Sequence, residues 1–136
     1  MILFVCTGNT CRSPMAAALA RVQGVDAASA GLYAVSGAAA APQAVRAAAE
    51  MGGSLKEHRA RPVTEELMAS ASAVYAMTDG QAEELLRRFP RWEGKIRALT
   101  PPVPDPFGGD DALYRRCAQR IWTALQNAGI LGPSPR

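Results

Sequence analysis

Histidine is nearly missing from this sequence, which has one in 136 residues beside three cysteines. Those four residues show no zinc-ligand spacing, so no metal site is expected. The cysteines are odd in number, and none has to be read as half of a structural disulfide, which suits the cytoplasm. No apolar run approaches the roughly 20 residues that span a bilayer. The opening run Met1 to Val5 is too short for a secretion signal, and no basic segment precedes it. Charged residues are only 20% of the chain, and the formal net charge is +3. That mild surplus suits a phosphate-bearing substrate, or is an ordinary surface with a few extra arginines. It is too small to argue nucleic acid.

What is present is an apolar content of 49% with a heavy load of alanine, enough to bury one core without staples. Ile2 to Val5 is a continuous apolar run ending at a glycine-bearing turn, as in a strand buried on both faces. Ser13-Pro14 then reads as N-cap and first helical residue, with Met15, Leu19 and Val22 at helical spacing and Gly24 as the stop. Asp26 to Leu32 makes a second strand. Pro42 opens a helix carrying Val45, Ala48, Ala49 and Met51. Thr64 starts a short helix, Ala71 to Met77 is a third strand, and Thr78 with Gln81 has capping-box spacing for a helix carrying Ala82, Leu85, Leu86 and Phe89. Lys95 to Thr100 is a fourth strand. The last helix begins near Asp110-Asp111 and is expected to bury Leu113, Cys117, Ile121 and Leu125, with Gly132 to Arg136 as a frayed tail.

This alternation predicts an α/β fold over residues 1–136: a single-domain three-layer sandwich with a four-stranded parallel sheet, helices on both faces, and a phosphate-binding loop after the first strand. Ligands bind beyond the carboxyl ends of such strands. The turn at Cys6 and the segment holding Asp105 therefore emerge on one edge.

A strand, a glycine-bearing turn and a helix N-terminus form an anion site from converging backbone N–H groups. Here Cys6 starts the turn and Arg12 ends it: Cys6-Thr7-Gly8-Asn9-Thr10-Cys11-Arg12-Ser13. Amides and a guanidinium stabilise a thiolate, the form of cysteine that attacks. The planar fork of Arg12 grips two phosphoryl oxygens. Gly8 is expected to supply a conformation closed to other residues. Asn9 holds the turn from within and tolerates left-handed geometry. Ser13 is expected both to cap the helix and to donate a hydrogen bond to the Cys6 thiolate. The Cys-x5-Arg spacing alone arises by chance; its strand–turn–helix setting distinguishes it. Asp105, between Pro104 and Pro106, is a candidate general acid for the leaving group, or else a surface acid in a turn. Phe107 is expected to wall the pocket, the alternative being a core anchor.

The stretch Val5-Cys6-Thr7-Gly8-Asn9-Thr10-Cys11-Arg12-Ser13-Pro14-Met15-Ala16 resembles the signature of the low-molecular-weight protein tyrosine phosphatase family. Ser29-Ala30-Gly31-Leu32, His58-Arg59-Ala60-Arg61, Ala76-Met77 and Asp105-Pro106-Phe107-Gly108-Gly109 match in the family's order. The resemblance implies a cysteinyl-phosphate intermediate, with Cys6 as nucleophile, Arg12 as phosphate clamp and Asp105 as acid and then base. It implies phosphorylated proteins as substrates of a monomer. No cofactor or metal is expected, because Arg12 and the loop amides neutralise the phosphate.

Thr10 bears on the substrate. Many tyrosine-specific relatives carry a bulky aliphatic residue there, whereas threonine resembles the protein arginine phosphatase branch, as do Thr64-Glu65-Glu66-Leu67-Met68 and Ala76-Met77-Thr78. A hydroxyl and a small methyl accommodate a planar phosphoguanidinium, with which Asp105 can pair. The alternatives are a neutral variant at Thr10 and a tyrosine phosphatase. An arsenate reductase on the same scaffold needs further cysteines after the third strand, where this chain has Thr78-Asp79-Gly80-Gln81-Ala82-Glu83. A non-catalytic phospho-residue binder needs neither nucleophile nor acid. Cys11 is either a reversible disulfide partner for an oxidised Cys6 or a packing residue. Cys117 reads as core. His58 reads as a support or surface residue rather than a catalytic partner of Cys6.

Overall fold

The computed structural model describes residues 1–131, so the tail expected at Gly132 to Arg136 lies outside the described residues. The elements in chain order are β1 (Ile2–Cys6), α1 (Arg12–Val22), β2 (Ala27–Gly31), α2 (Pro42–Glu50), α3 (Glu65–Ser70), β3 (Ala73–Ala76), α4 (Asp79–Arg88), β4 (Ile96–Ala98) and α5 (Asp111–Asn127). The strands form one parallel sheet in the order β2-β1-β3-β4. Phe4 and Cys6 of β1 face one core with α1, α2 and α5, while Leu3 and Val5 face the other with α3 and α4. Burial on both sides is why β1 reads as an unbroken apolar run rather than an alternating one.

Several apolar stripes sit differently from expectation. Helix α1 is buried from Arg12 through Ala20, whereas Val22 is exposed. The cause is its position: it packs against the sheet, α2 and α5 together, so it has no solvent face to define a stripe. In α2 the buried face is Ala44, Ala47 and Ala48, with Ala49 exposed and Val45 only partly buried. Alanine methyls let the helices approach closely, which moves the larger side chains to the rim. In α4, Leu85 is buried while Leu86 is exposed. In α5, Tyr114 takes the buried place expected for Leu113, which is 37% exposed.

The caps at Thr64 and Asp110 form as their sequences suggest, each side chain accepting from the backbone N–H three residues on. Thr78 likewise accepts from Gln81 N at 3.2 Å. The return arm of that capping box is redirected: Gln81 Oε1 accepts from Met77 N at 3.1 Å, and its Nε2 donates to Thr7 Oγ1 at 3.1 Å. A residue expected only to cap α4 therefore ties that helix to the turn after β1.

Strands β1 and β3 are neighbours at the centre of the sheet, and the chain leaves them toward opposite faces. The crevice opens there, beyond Cys6. The segment after β4 is drawn to the same edge by Leu99 N to Ala76 O at 2.9 Å and Val103 N to Met77 O at 2.9 Å. Val103 is fully buried, so its neighbour Pro104 and then Asp105 leave the core at a determined place.

Candidate active site

The turn after β1 is held by its carbonyls. Those of Cys6, Thr7, Thr10 and Cys11 accept from the backbone N–H groups of Leu32, Tyr33, Ala41 and Met15, and that of Asn9 accepts from His58 Nε2 at 2.7 Å. In a trans peptide the following N–H points the opposite way. The amides of residues 7, 8, 10, 11 and 12 are thereby turned to the inside of the loop, where an oxyanion would sit.

Asn9 organises this turn. It is fully buried and has the left-handed φ of 58°. Its Nδ2 donates to Ser13 Oγ at 2.9 Å and to Ser29 Oγ at 3.0 Å, while its Oδ1 accepts from Arg61 N at 3.0 Å. The unusual backbone expected of Gly8 belongs to Asn9 instead: Gly8 has no positive φ, and a Cβ there would meet only Thr10 Oγ1, at 3.8 Å. Against this turn packs Gly31, where a Cβ would lie 2.8 Å from Thr7 O and 3.0 Å from Asn9 Cβ. Asn9→Ala is expected to lower stability by about 2–4 kcal/mol, by orphaning buried partners and straining a left-handed residue. Chemical denaturation measures this.

Ser13 does not cap α1. The helix starts at Arg12 with Cys11 in the cap position and no side-chain cap bond, because the Ser13 hydroxyl is aimed at the sheet. Its Oγ lies 2.9 Å from Cys6 Sγ and 3.4 Å from Ala30 O. Asn9 Nδ2 donates to that oxygen and the hydroxyl donates to Ala30 O, while a Cys6 thiolate, which carries no proton, would offer the hydroxyl a nearer acceptor. The expected bond to a thiolate therefore has its geometry, and the expected cap does not form.

Arg12 is buried to 6% exposure and points Nη1 at Val103 O, 3.0 Å away, with Nη2 3.8 Å from Asp105 Oδ2. Asp105 Oδ1 accepts from Phe107 N at 3.0 Å, and a turn closes behind it from Gly109 N to Pro106 O at 2.8 Å. Gly108 has φ +80°, as the third residue of such a turn requires. Residues 6–12, Asp105 and Phe107 together line a cavity of about 220 Å³. Phe107, 82% exposed, forms an open apolar wall rather than a core anchor.

The remaining candidates separate cleanly. Cys11 Sγ lies 3.3 Å from Tyr114 OH and 3.8 Å from Thr10 Oγ1, and burial above all raises its pKa. Cys117 is pushed up to about 12 by burial and packs in the core. The three cysteines are unbridged. His58 touches the loop rather than Cys6. Its pKa is lowered, chiefly by burial, which favours the neutral ring whose Nε2–H donates to Asn9 O. Val103, Tyr114 and Gln81 were not singled out as site residues. Only an apolar residue framed by prolines, and a buried-face phase shifted by one position, hinted at the first two.

Comparison with known proteins agrees with this geometry. Residues 1–128 match the model of the low molecular weight phosphotyrosine protein phosphatase family. A protein-arginine-phosphatase of Bacillus subtilis is 42% identical over 92% of this chain and 91% of its own. A probable low molecular weight protein-tyrosine-phosphatase of Ralstonia nicotianae is 43% identical over 88% and 87%. The solved structure of an arginine phosphatase from Geobacillus stearothermophilus superposes with a TM-score of 0.88 at 37% identity, covering 93% of this chain and 88% of that one. With that fold, and with a loop running from Cys6 to Arg12 around one cavity, the chain belongs to the low molecular weight phosphotyrosine protein phosphatase family.

Proposed function

We propose that this protein is a cysteine-dependent protein phosphatase acting on phosphoarginine, with Cys6 as nucleophile, Arg12 as phosphate clamp and Asp105 as acid and then base. The observation that carries this reading is the convergence of Cys6, the Arg12 guanidinium and the Asp105 carboxylate on one cavity.

In the first step the Cys6 thiolate attacks phosphorus and an S–P bond forms. The bond to the leaving group breaks, its electron pair going to nitrogen, and protonated Asp105 delivers a proton to that nitrogen. Arg12 and the inward amides hold the three phosphoryl oxygens. Burial of the guanidinium strengthens that attraction. In the second step the Asp105 carboxylate takes a proton from water, whose oxygen attacks phosphorus. The S–P bond breaks, phosphate leaves and the thiolate returns.

Thr10 supports phosphoarginine over phosphotyrosine. It lines the cavity and presents a hydroxyl and a small methyl where a larger aliphatic group would shape a slot for a phenyl ring. Relatives named for each activity are similarly identical to this chain, so this reading rests on Thr10 rather than on overall identity. Thr10→Ile is expected to lower kcat/KM on phosphoarginine peptides about 10–100-fold relative to phosphotyrosine peptides. A wild-type preference for phosphotyrosine that the substitution leaves unchanged would make this a tyrosine phosphatase instead. Among the described residues no helix is long and apolar enough to cross a membrane. The same reading makes the protein a cytoplasmic monomer acting on phosphorylated proteins.

A further inference from the structure

On the far side of Asn9 from the phosphate cavity lies a larger cleft, about 420 Å³ against about 220 Å³. Its lining includes Arg21, Arg59 and Arg61 with His58, against one acidic residue, Glu57. Each arginine uses one N–H on a backbone carbonyl: Arg21 Nη1 on Ala27 O at 3.2 Å, Arg59 Nη1 on His58 O at 2.8 Å and Arg61 Nε on Ser29 O at 3.1 Å. A guanidinium has further donors beyond that one. Among the described residues none of these three arginines stands in an ion pair with a carboxylate, whereas Arg46, Arg88 and Arg115 each do. Three like charges gathered against a single carboxylate repel one another, and an anion between them removes that repulsion.

The same wall reaches the phosphate loop. His58 holds the Asn9 carbonyl and the Arg61 N–H holds the Asn9 side chain. Asn9 in turn holds Ser13, whose Oγ lies against Cys6 Sγ. An occupant of the cleft is thus linked through Asn9 and Ser13 to the thiol.

We propose that this cleft is an effector site for a compact oligophosphate, supplied either as inorganic pyrophosphate or as the diphosphate of a nucleotide. The cleft is larger than the cavity enclosed by the loop from Cys6 to Arg12, and its arginines suit more than one negative charge. Its effect on turnover rests on the phosphatase reading above; the binding itself does not.

The test is calorimetric titration of the full chain with pyrophosphate and, separately, ADP, with tungstate, a tetrahedral oxyanion, filling the phosphate loop. One site per chain is expected, weakened at least about tenfold in an Arg21→Ala/Arg59→Ala variant whose turnover without effector matches wild type. Pyrophosphate should also change wild-type turnover without competing with substrate, and leave the double variant unaffected. Tighter ADP makes the nucleotide the occupant, and tighter pyrophosphate the inorganic ion; either supports the site. Absence of binding, equal binding to wild type and double variant, or displacement of tungstate overturns it. Failure of tungstate itself to bind strikes the phosphatase reading, and loss of pyrophosphate binding in the double variant still decides the cleft.

Discussion

Cys6→Ser is expected to lower kcat by on the order of 10⁴-fold or more while leaving phosphate binding largely intact. The substitution exchanges Sγ for a hydroxyl at a residue that is 3% exposed, so the packing around it is retained. The inward amides and Arg12 do not depend on that atom, since the loop is held by its carbonyls and by Asn9. What disappears is the attacking thiolate: an alcohol in the same place stays protonated and is a far weaker nucleophile. Single-turnover kinetics with phosphoarginine peptide, together with titration by inorganic phosphate, separates the two effects. Substantial residual turnover would sink the covalent mechanism. Loss of phosphate binding along with turnover would show instead that the loop had collapsed.

The second large effect is expected from Asp105→Asn, with a loss in the first chemical step of about 10²–10⁴-fold. Asparagine keeps the oxygen that accepts from Phe107 N, and the turn behind it, closed through Gly108, does not involve the side chain. The loop should therefore hold its shape while the transferable proton is gone. A leaving group that departs readily without a proton should lose least, and one that is strongly basic should lose most. The check is burst and steady-state rates over a series of aryl phosphates of graded leaving-group pKa. A uniform loss across the series would refute proton donation by Asp105. Its ion pair with Arg12, 3.8 Å long and 56% exposed at the carboxylate, would then be a positioning contact alone.

Most of the element order was legible because each segment advertises itself locally. Pro42 opens α2, Thr64 and Thr78 cap α3 and α4, and Gly24 with φ +81° ends the turn that follows α1. The phosphate loop was legible for the same reason: cysteine, asparagine, arginine and serine fall at fixed offsets between a buried strand and a helix start. The missed features all depend on what lies across the fold. Val22 and Leu113 look like core by spacing, yet the faces they occupy meet solvent. Gln81 looks like half of a capping box, yet its amide is taken by Met77 and Thr7. Gly8 looks like a residue with special backbone, yet of the two loop residues given that capacity by type only Asn9 uses it, with partners from Ser29, His58 and Arg61 around it.

By itself the sequence determined the chemistry on offer: a nucleophile and a cation six positions apart on a strand–turn–helix, and an acid between prolines far along the chain. Backbone spacing and residue type suffice for that, because both are properties of neighbouring residues. Only the tertiary structure decided that Asp105 reaches Arg12, through the pinning of Val103 to the end of β3. Only it decided between the two roles expected of the Ser13 hydroxyl, the contact with Cys6 and the helix cap, by giving it the first and not the second. It alone gathered Arg21, Arg59 and Arg61 around a cleft behind Asn9. These arrangements join residues that are distant along the chain, and their positions are determined by which strands lie side by side and which carbonyls remain to be satisfied.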